Sequence, residues 1–181
     1  MGHFTVSVVG PDRPGIVAGI SRVLYELGFN IEDSSSTILS GMFAMILVVG
    51  HGVDSDEGEL SAAFDGARRD LGLTVTVHSL AGGELVRESP FRGTPHVISV
   101  YGADRPGIVY RVSRALAERK VNVVDLKTQV VGSKERPVYV MVLEADIPDG
   151  YDVAALEGEL AALAKELSVS VSVRPVETLE L

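Results

Sequence analysis

The amino-acid sequence predicts an α+β protein in which two ferredoxin-like domains follow one another, each with the element order βαββαβ. The first observation is an internal repeat, because residues 10–33 and 102–125 are identical at 13 of 24 positions. The second is the spacing of apolar residues, which has a period of two in some segments and of about 3.6 in others. A repeat of roughly 90 residues is longer than solenoid repeats, so each copy is expected to be a complete domain. We therefore predict domains at residues 1–81 and 96–181, with a linker at residues 82–95.

The first copy opens with a strand followed by a helix. Residues 3–9 alternate in the manner of a half-buried strand. Apolar residues at helical spacing then predict a helix over residues 13–27. Asp12 is its expected N-cap and Pro14 lies in its first turn, where a missing N–H costs nothing. Gly28 is the expected C-terminal stop.

The rest of the first copy contains three strands and one helix. The predicted strands are residues 30–39, 42–49 and 73–80, and the predicted helix is residues 55–71. Ser40 and Gly41 indicate a hairpin turn between the first two of these strands. Gly72 is the expected end of the helix.

The second copy repeats this order after a linker that is rich in glycine and proline. Its predicted strands are residues 96–101, 121–131, 138–145 and 169–176, and its predicted helices are residues 105–119 and 152–167. Residues 132–137 are expected to form a longer, more charged hairpin loop. In this fold a four-stranded antiparallel sheet carries both helices on one face. The other face and an edge strand stay open in each copy, so we expect a homodimer whose sheets are joined edge to edge or packed face to face.

The composition limits the classes of function. The chain has no cysteine, which excludes disulfides and thiolate chemistry and fits a reducing cytoplasm, where we place the protein. The formal net charge of −9 opposes nucleic-acid phosphates, so direct DNA binding is not expected. No signal peptide or membrane span is predicted. The acidic segments are explained by solvated faces and helix starts.

The two copies agree most closely in the turn before the first helix and in an asparagine after it. A glycine, a capping aspartate and a proline are also what an ordinary strand-to-helix turn requires. That structural explanation does not account for Arg13, nor for Gly15 and Gly107, which we place inside the first helical turn, where glycine costs about 1 kcal/mol. Free N–H groups at a helix start attract carboxylates. The pattern therefore indicates a site for an amino acid or another small anion beside each turn.

This combination of D-R-P-G-I-V, a helix and N-I or N-V resembles the ACT domain, a βαββαβ module that binds amino acids and other small ligands. The resemblance covers both copies. With no attached enzyme domain, the chain is most similar to the glycine cleavage system transcriptional repressor family.

The resemblance implies a ligand held at a domain interface by the loop after the first strand and by the asparagine that starts the second strand. Asp12 and Asp104 occupy positions where ACT domains often have asparagine, and an aspartate would accept an ammonium group and repel a carboxylate. Gly10 and Gly102 replace a histidine of some members. The candidate ligand-binding residues are Gly10, Asp12, Arg13, Pro14, Gly15, Ile16, Asn30, Gly102, Asp104, Arg105, Pro106, Gly107, Ile108 and Asn122.

Catalytic and metal sites are not predicted. No serine has a histidine or lysine at a recognisable motif spacing, and phosphate-binding glycine motifs are absent. The four histidines, His3, His51, His78 and His96, are isolated in strands or turns. We therefore expect neither a catalytic residue, nor a metal, nor a cofactor.

Three roles remain open at this point. The chain could be a repressor-like regulator that contacts a transcription factor without touching DNA. It could instead be a regulatory subunit of an amino-acid metabolic enzyme, or a dimerisation module without a ligand. Each role requires a protein partner or a second copy.

Overall fold

Each half of the chain forms one antiparallel sheet with helices on one face. The computed structural model describes residues 2–52, 55–80, 91–133 and 135–176. The first half contains β1 (Gly2–Pro11), α1 (Ile16–Glu26), β2 (Asn30–Leu39), β3 (Met42–His51), α2 (Glu57–Ala63), α3 (Asp65–Leu71) and β4 (Thr74–Ser79). The second contains β5 (Gly93–Gly102), α4 (Ile108–Glu118), β6 (Asn122–Ser133), β7 (Arg136–Pro148), α5 (Val153–Leu167) and β8 (Val169–Pro175).

The strand order is β2-β3-β1-β4 in the first sheet and β6-β7-β5-β8 in the second. All neighbouring strands are antiparallel. This confirms the predicted α+β class and the ferredoxin-like order. The described residues separate into two units, Met1–Arg87 and Glu88–Leu181. Residues 82–90 of the predicted linker lie outside the described residues, and β5 begins at Gly93 rather than at His96.

The core of each unit lies between the sheet and its helices. In the first unit Phe4, Leu47 and Phe64 are almost fully buried, with Ile20 and Leu24 of α1 packed against them. The second unit repeats this with Ile98, Leu116, Leu143, Leu156 and Leu160. Alternation along each strand decides which side chains enter the core. The period-two pattern of apolar residues therefore predicted correctly which side chains of each strand face the core.

The opposite face of the first sheet is not covered by helices. Val9, Met42 and Ile46 lie on it and are about half exposed. Among the described residues, no helix is long and apolar enough to cross a bilayer.

Several predicted element bounds differ from the structure. The first helix of each copy starts later than expected, at Ile16 and Ile108, because a left-handed glycine precedes it. The predicted helix at residues 55–71 is two helices that meet at the buried Phe64. The predicted loop at residues 132–137 is mostly strand, since Gly132 pairs with Pro137 and Ser133 with Arg136.

Candidate functional site

The first helix of each unit begins without a capping side chain. Gly15 and Gly107 occupy the N-cap positions with φ of 95° and 93°, and neither α1 nor α4 has an acidic residue in its first turn. By contrast, Asp56 and Asp152 cap α2 and α5 through hydrogen bonds to backbone N–H groups. The first N–H groups of α1 and α4 are therefore available to an external acceptor such as a carboxylate.

This geometry corrects the prediction that Asp12 caps α1 and that Gly15 and Gly107 lie within the helix. The two glycines stand before the helix, and their positive φ is the reason for their residue type. A Cβ added at either position would meet nothing within 4 Å. The space beside each helix start is consequently open.

Asp12 and Asp104 carry exposed carboxylates next to these helix starts. Within the described part of the chain, neither carboxylate forms a side-chain hydrogen bond or ion pair. The backbone N–H of Asp12 donates to the carbonyl oxygen of Gly41 at 2.8 Å, which fixes the turn against the β2–β3 hairpin. The unpaired carboxylate can accept hydrogen bonds from an ammonium group. The free N–H groups beside it can donate to a carboxylate.

The structure gives other candidate residues a packing role. Ile16 and Ile108 are 2% exposed and anchor the helix starts in the core. A Cβ added at Gly72 would lie 3.3 Å from the Arg13 guanidinium, which therefore contacts the C-terminal end of α3. A cation is favourable there because of the helix dipole. Pro14 and Pro106 are exposed in the turns.

Gly10 and Gly102 allow the chain to approach itself closely. A Cβ at Gly10 would lie 2.7 Å from the Leu73 side chain and 3.0 Å from the Gly72 carbonyl oxygen. A Cβ at Gly102 would lie 2.8 Å from Cα of Val169. Backbone packing is therefore enough to explain these two glycines, which also occur where the ACT resemblance places a ligand contact.

The asparagines lie at the other end of each sheet. Asn30 pairs with Gly50, which pairs with His3, whereas the Asp12 turn follows Pro11. At about 3.3 Å per residue, Asn30 is roughly 25 Å along the strands from the turn of its own domain. Asn122 has the same relation to the Asp104 turn, because it pairs with Asp146 opposite Pro95. One domain therefore does not bring its own asparagine and its own turn together.

Arg105 belongs to a cavity that lies beside the second turn and has a volume of about 490 Å³. It is lined by Asp104, Arg105, Gly107, Ile108, Val109, Tyr110 and Tyr139. Tyr139, in β7, is the residue that sequence reasoning missed. The first sheet has Phe43 at this place, since Gly10 pairs with Phe43 and Gly102 with Tyr139. Comparing the third strands of the two copies would have identified this difference.

Tyr139 as a whole residue is 9% exposed. Burial raises the pKa of Tyr139 above the ordinary tyrosine value, a hydrogen bond with Thr128 opposes this change, and the Asp104 carboxylate adds to it. The second turn therefore has a neutral hydroxyl group that is absent from the first.

We predict that an alkaline absorbance titration contains a step above the ordinary tyrosine value, and that Tyr139→Phe removes this step. A raised pKa in the folded state contributes stability below about pH 10, the ordinary tyrosine value, and this stability is lost as the pH rises through the folded pKa. The variant should therefore lose less stability than the parent above that pH. Tyr25, which is exposed, supplies the matched control Tyr25→Phe.

Three of the histidines contact oxygen atoms of nearby residues. His3 Nε2 lies 3.4 Å from Glu32 Oε1, and His51 Nδ1 lies 2.8 Å from Ser55 Oγ. The His96 ring contacts the carbonyl oxygen of Thr94 at 2.9 Å. No group of three potential ligands that could hold a metal ion occurs among the described residues.

Comparisons with known proteins agree with this fold. The family model for the ACT domain matches residues 3–78 and 94–174. The glycine cleavage system transcriptional repressor of Escherichia coli is 27% identical over 177 residues, which cover 96% of this chain and 90% of that protein. A UPF0237 protein of Methanopyrus kandleri is 46% identical over 78 residues, covering 42% of this chain and 87% of that protein.

A solved structure resembles the whole chain. The crystal structure of an unknown protein from Galdieria sulphuraria has a TM-score of 0.80 at 26% identity and covers 97% of this chain and 99% of its own. The predicted resemblances to the ACT domain and to the repressor family are thereby confirmed. ACT domains typically bind small molecules such as amino acids, and they often dimerise. With both copies matched, the chain belongs to the ACT domain family and carries two ACT domains in tandem.

Proposed function

We propose that this chain is a cytoplasmic, non-catalytic regulator that binds an amino acid beside its first-helix turns and transmits the signal by protein contact. The observation that supports this most is the repeated pairing of an uncapped helix start with an unpaired aspartate. An amino acid carries the two complementary charges. Its carboxylate would accept from the free N–H groups, and its ammonium group would bind Asp12 or Asp104.

A complete site requires two domains. The asparagine and the turn are roughly 25 Å apart within a domain, at opposite ends of the strands. Strand β2 is exposed along its whole length, and β6 along most of it, at the edges of their sheets. Antiparallel pairing of such an edge with a second copy would bring each asparagine to the turn end of its neighbour. We therefore propose a homodimer in which the ligand sites are shared.

The regulatory role that we propose is that of a repressor-like transcriptional regulator. The similarity to the Escherichia coli repressor over nearly the whole chain supports this role. The net charge of −9 disfavours contact with DNA phosphates, so the regulated partner would be a protein. In this role, binding of the ligand changes which surfaces of the chain are available to its protein partner.

Isothermal titration calorimetry with glycine and each proteinogenic L-amino acid tests ligand binding. We expect at least one to bind, and Asp104→Ala or Asp12→Ala to weaken its affinity about tenfold, equal to 1.4 kcal/mol. Glu26→Ala is a matched control because Glu26 is an exposed acidic residue at the far end of α1. If none of these compounds binds, the chain is better described as a ligand-free dimerisation module.

Mixing two inactive variants tests whether the site is shared. Asp104→Ala and Asn122→Ala should each weaken binding of the amino acid that the calorimetric screen identifies. In a mixed dimer one shared site retains both residues, so mixing should restore part of the binding. Mixtures that bind no better than either variant would overturn the shared site.

A further inference from the structure

The last strand, β8, is an edge of the second sheet whose outer backbone groups are unpaired. The N–H of Val176 donates to the carbonyl oxygen of Pro95 at 3.0 Å, and bonded residues alternate along an antiparallel pair. The N–H and C=O groups of Val171 and Val173 therefore point away from β5. Within the described part of the chain, none of these four groups has a hydrogen-bond partner. An edge of this kind can accept a further strand.

The corresponding edge of the first domain, β4, is closed by side chains of its own helices. The Glu57 carboxylate accepts from the N–H of Ser79 at 2.7 Å, and the Arg68 guanidinium donates to the carbonyl oxygen of Val75 at 2.8 Å. Both backbone groups lie on the side of β4 that faces away from β1. The first domain therefore satisfies part of this edge internally.

The second domain lacks these two closing side chains. When the helix N-caps of the two copies are aligned, Val153 takes the place of Glu57 and Ala164 takes the place of Arg68. Valine and alanine side chains cannot form hydrogen bonds. The edge that is closed in the first domain is consequently open in the second.

A cavity of about 450 Å³ lies beside this open edge. It is lined by Glu157 and Ala161 of α5 and by Val171, Ser172, Val173 and Arg174 of β8. The two residues of α5 are one helical turn apart on the same face, and the short side chain of Ala161 leaves room between helix and strand. A groove between a helix and a free strand edge fits an extended peptide, whose alternate side chains enter the groove.

The charge in this groove favours a basic occupant. Glu157 is exposed and forms no ion pair within the described part of the chain. It takes the place of Ser61, which in the first domain binds the Arg68 guanidinium through its carbonyl and hydroxyl oxygens. The first copy thus holds a cation of its own where the second copy has an unpaired carboxylate. An arginine or lysine from outside the chain would complement this carboxylate, and the net charge of −9 attracts basic segments.

We propose that the groove between α5 and β8 binds an extended, basic segment of a partner protein, which adds to the sheet as a strand beyond β8. The backbone of the segment pairs with Val171 and Val173, and its alternate side chains enter the cavity beside Ala161. An arginine or lysine among them binds Glu157. Identification of this partner with the regulated protein rests on the function proposed above, whereas the binding itself requires no amino-acid ligand.

Selection of a phage-displayed library of random nonapeptides on the full chain, without any free amino acid, tests this proposal. We expect the selected peptides to share an arginine or lysine within a run of alternating apolar residues, and to bind saturably in fluorescence polarisation. N-methylation of alternate backbone amides should abolish binding in one of the two possible patterns and not in the other. The reason is that only one set of N–H groups faces β8 in an added strand.

Two substitutions locate the peptide in the groove. Ala161→Leu fills the cavity and Glu157→Lys reverses its charge, so each should weaken peptide affinity about tenfold or more. Ala162→Leu is the control for the first, because Ala162 is exposed on the same helix and lines the groove toward α4 instead. Glu59→Lys makes the same charge change on α2 of the first domain. Both controls should bind the peptide as the parent does, and leucine is compatible with a helix at either position.

Four results would overturn this proposal. They are a library that yields no binding peptide, peptides that bind equally well in both N-methylation patterns, and substitutions in the groove that act no differently from their controls. The fourth is a dimer, measured by sedimentation, that Ala161→Leu dissociates and Ala162→Leu does not, because a second copy would then occupy the groove. Since no free amino acid is present, these results are independent of the calorimetric ligand screen.

Discussion

Replacing Gly102 by alanine is expected to lower the free energy of unfolding of the second domain by about 3 kcal/mol. The added Cβ would lie 2.8 Å from Cα of Val169 and 2.9 Å from the carbonyl oxygen of Ser168. Both are backbone atoms, so no side-chain rotation relieves the contact. Hydrogen exchange read by mass spectrometry on peptides from β5 and β8 measures the loss domain by domain.

Gly107→Ala is the control that separates close contact from backbone strain. Nothing lies within 4 Å of its added Cβ, but φ is 93°, so the expected cost is about 1–2 kcal/mol. Equal losses in the two variants would show that close packing is not what requires glycine at position 102. No loss for Gly102→Ala would show that β8 can move away from β5 at little cost.

The strands were the most predictable part of this fold. The bounds of β2 match the predicted residues 30–39, and the turn between β2 and β3 occurs at Ser40 and Gly41, both with positive φ. The local sequence is sufficient to predict the bounds of β2 and the position of this turn. Alternation fixes the faces of a strand, and a two-residue hairpin of this kind requires left-handed residues.

The starts of α1 and α4 were less predictable because a nonlocal contact fixes them. Aspartate, proline and glycine in this order fit both a capped helix and a turn that precedes one. The hydrogen bond from the Asp12 N–H to Gly41, in the distant hairpin, is part of the turn that the structure adopts. Gly15 then takes a left-handed conformation before the helix begins.

The candidate site was predicted only in part for a related reason. The turns and asparagines stand out when the two copies are aligned. The distance between an asparagine and the turn of its own domain, however, depends on the register of the strands. Tyr139 escaped attention because it belongs to the third strand, where the copies have different loop lengths. Pairing relations, rather than proximity along the sequence, determine which residues share a site.

The helix layers show how far the two copies have diverged. Between α4 and α5, Arg111 pairs with Glu166 and Arg119 with Glu159. The groove between α1 and the α2–α3 segment instead contains small residues, including Gly19, Ala63 and Gly66. A shared fold therefore presents two chemically different surfaces. Stability changes in one copy should not be transferred to the other without considering these contacts.

Arg68 is expected to be a major stabilising residue of the first domain alone, and Arg68→Ala should cost about 3 kcal/mol. Its guanidinium donates to the carbonyl oxygens of Ser61 and Val75 at 2.6 and 2.8 Å, and also to the Ser61 hydroxyl. These bonds join the end of α2 to β4 across the break at Phe64. Removing them leaves two partly buried carbonyl groups without this donor.

Hydrogen exchange should show faster opening of α2, α3 and β4 in Arg68→Ala, while α5 and β8 remain as protected as in the parent. Arg69→Ala is the matched control, because Arg69 is the adjacent exposed arginine of the same helix. It removes a positive charge from the last turn of α3 and should cost well under 1 kcal/mol. If both variants lose the same small amount, the break at Phe64 is stabilised by core packing rather than by the guanidinium. A loss confined to Arg68→Ala would instead identify its hydrogen bonds as the connection between the two short helices and the sheet.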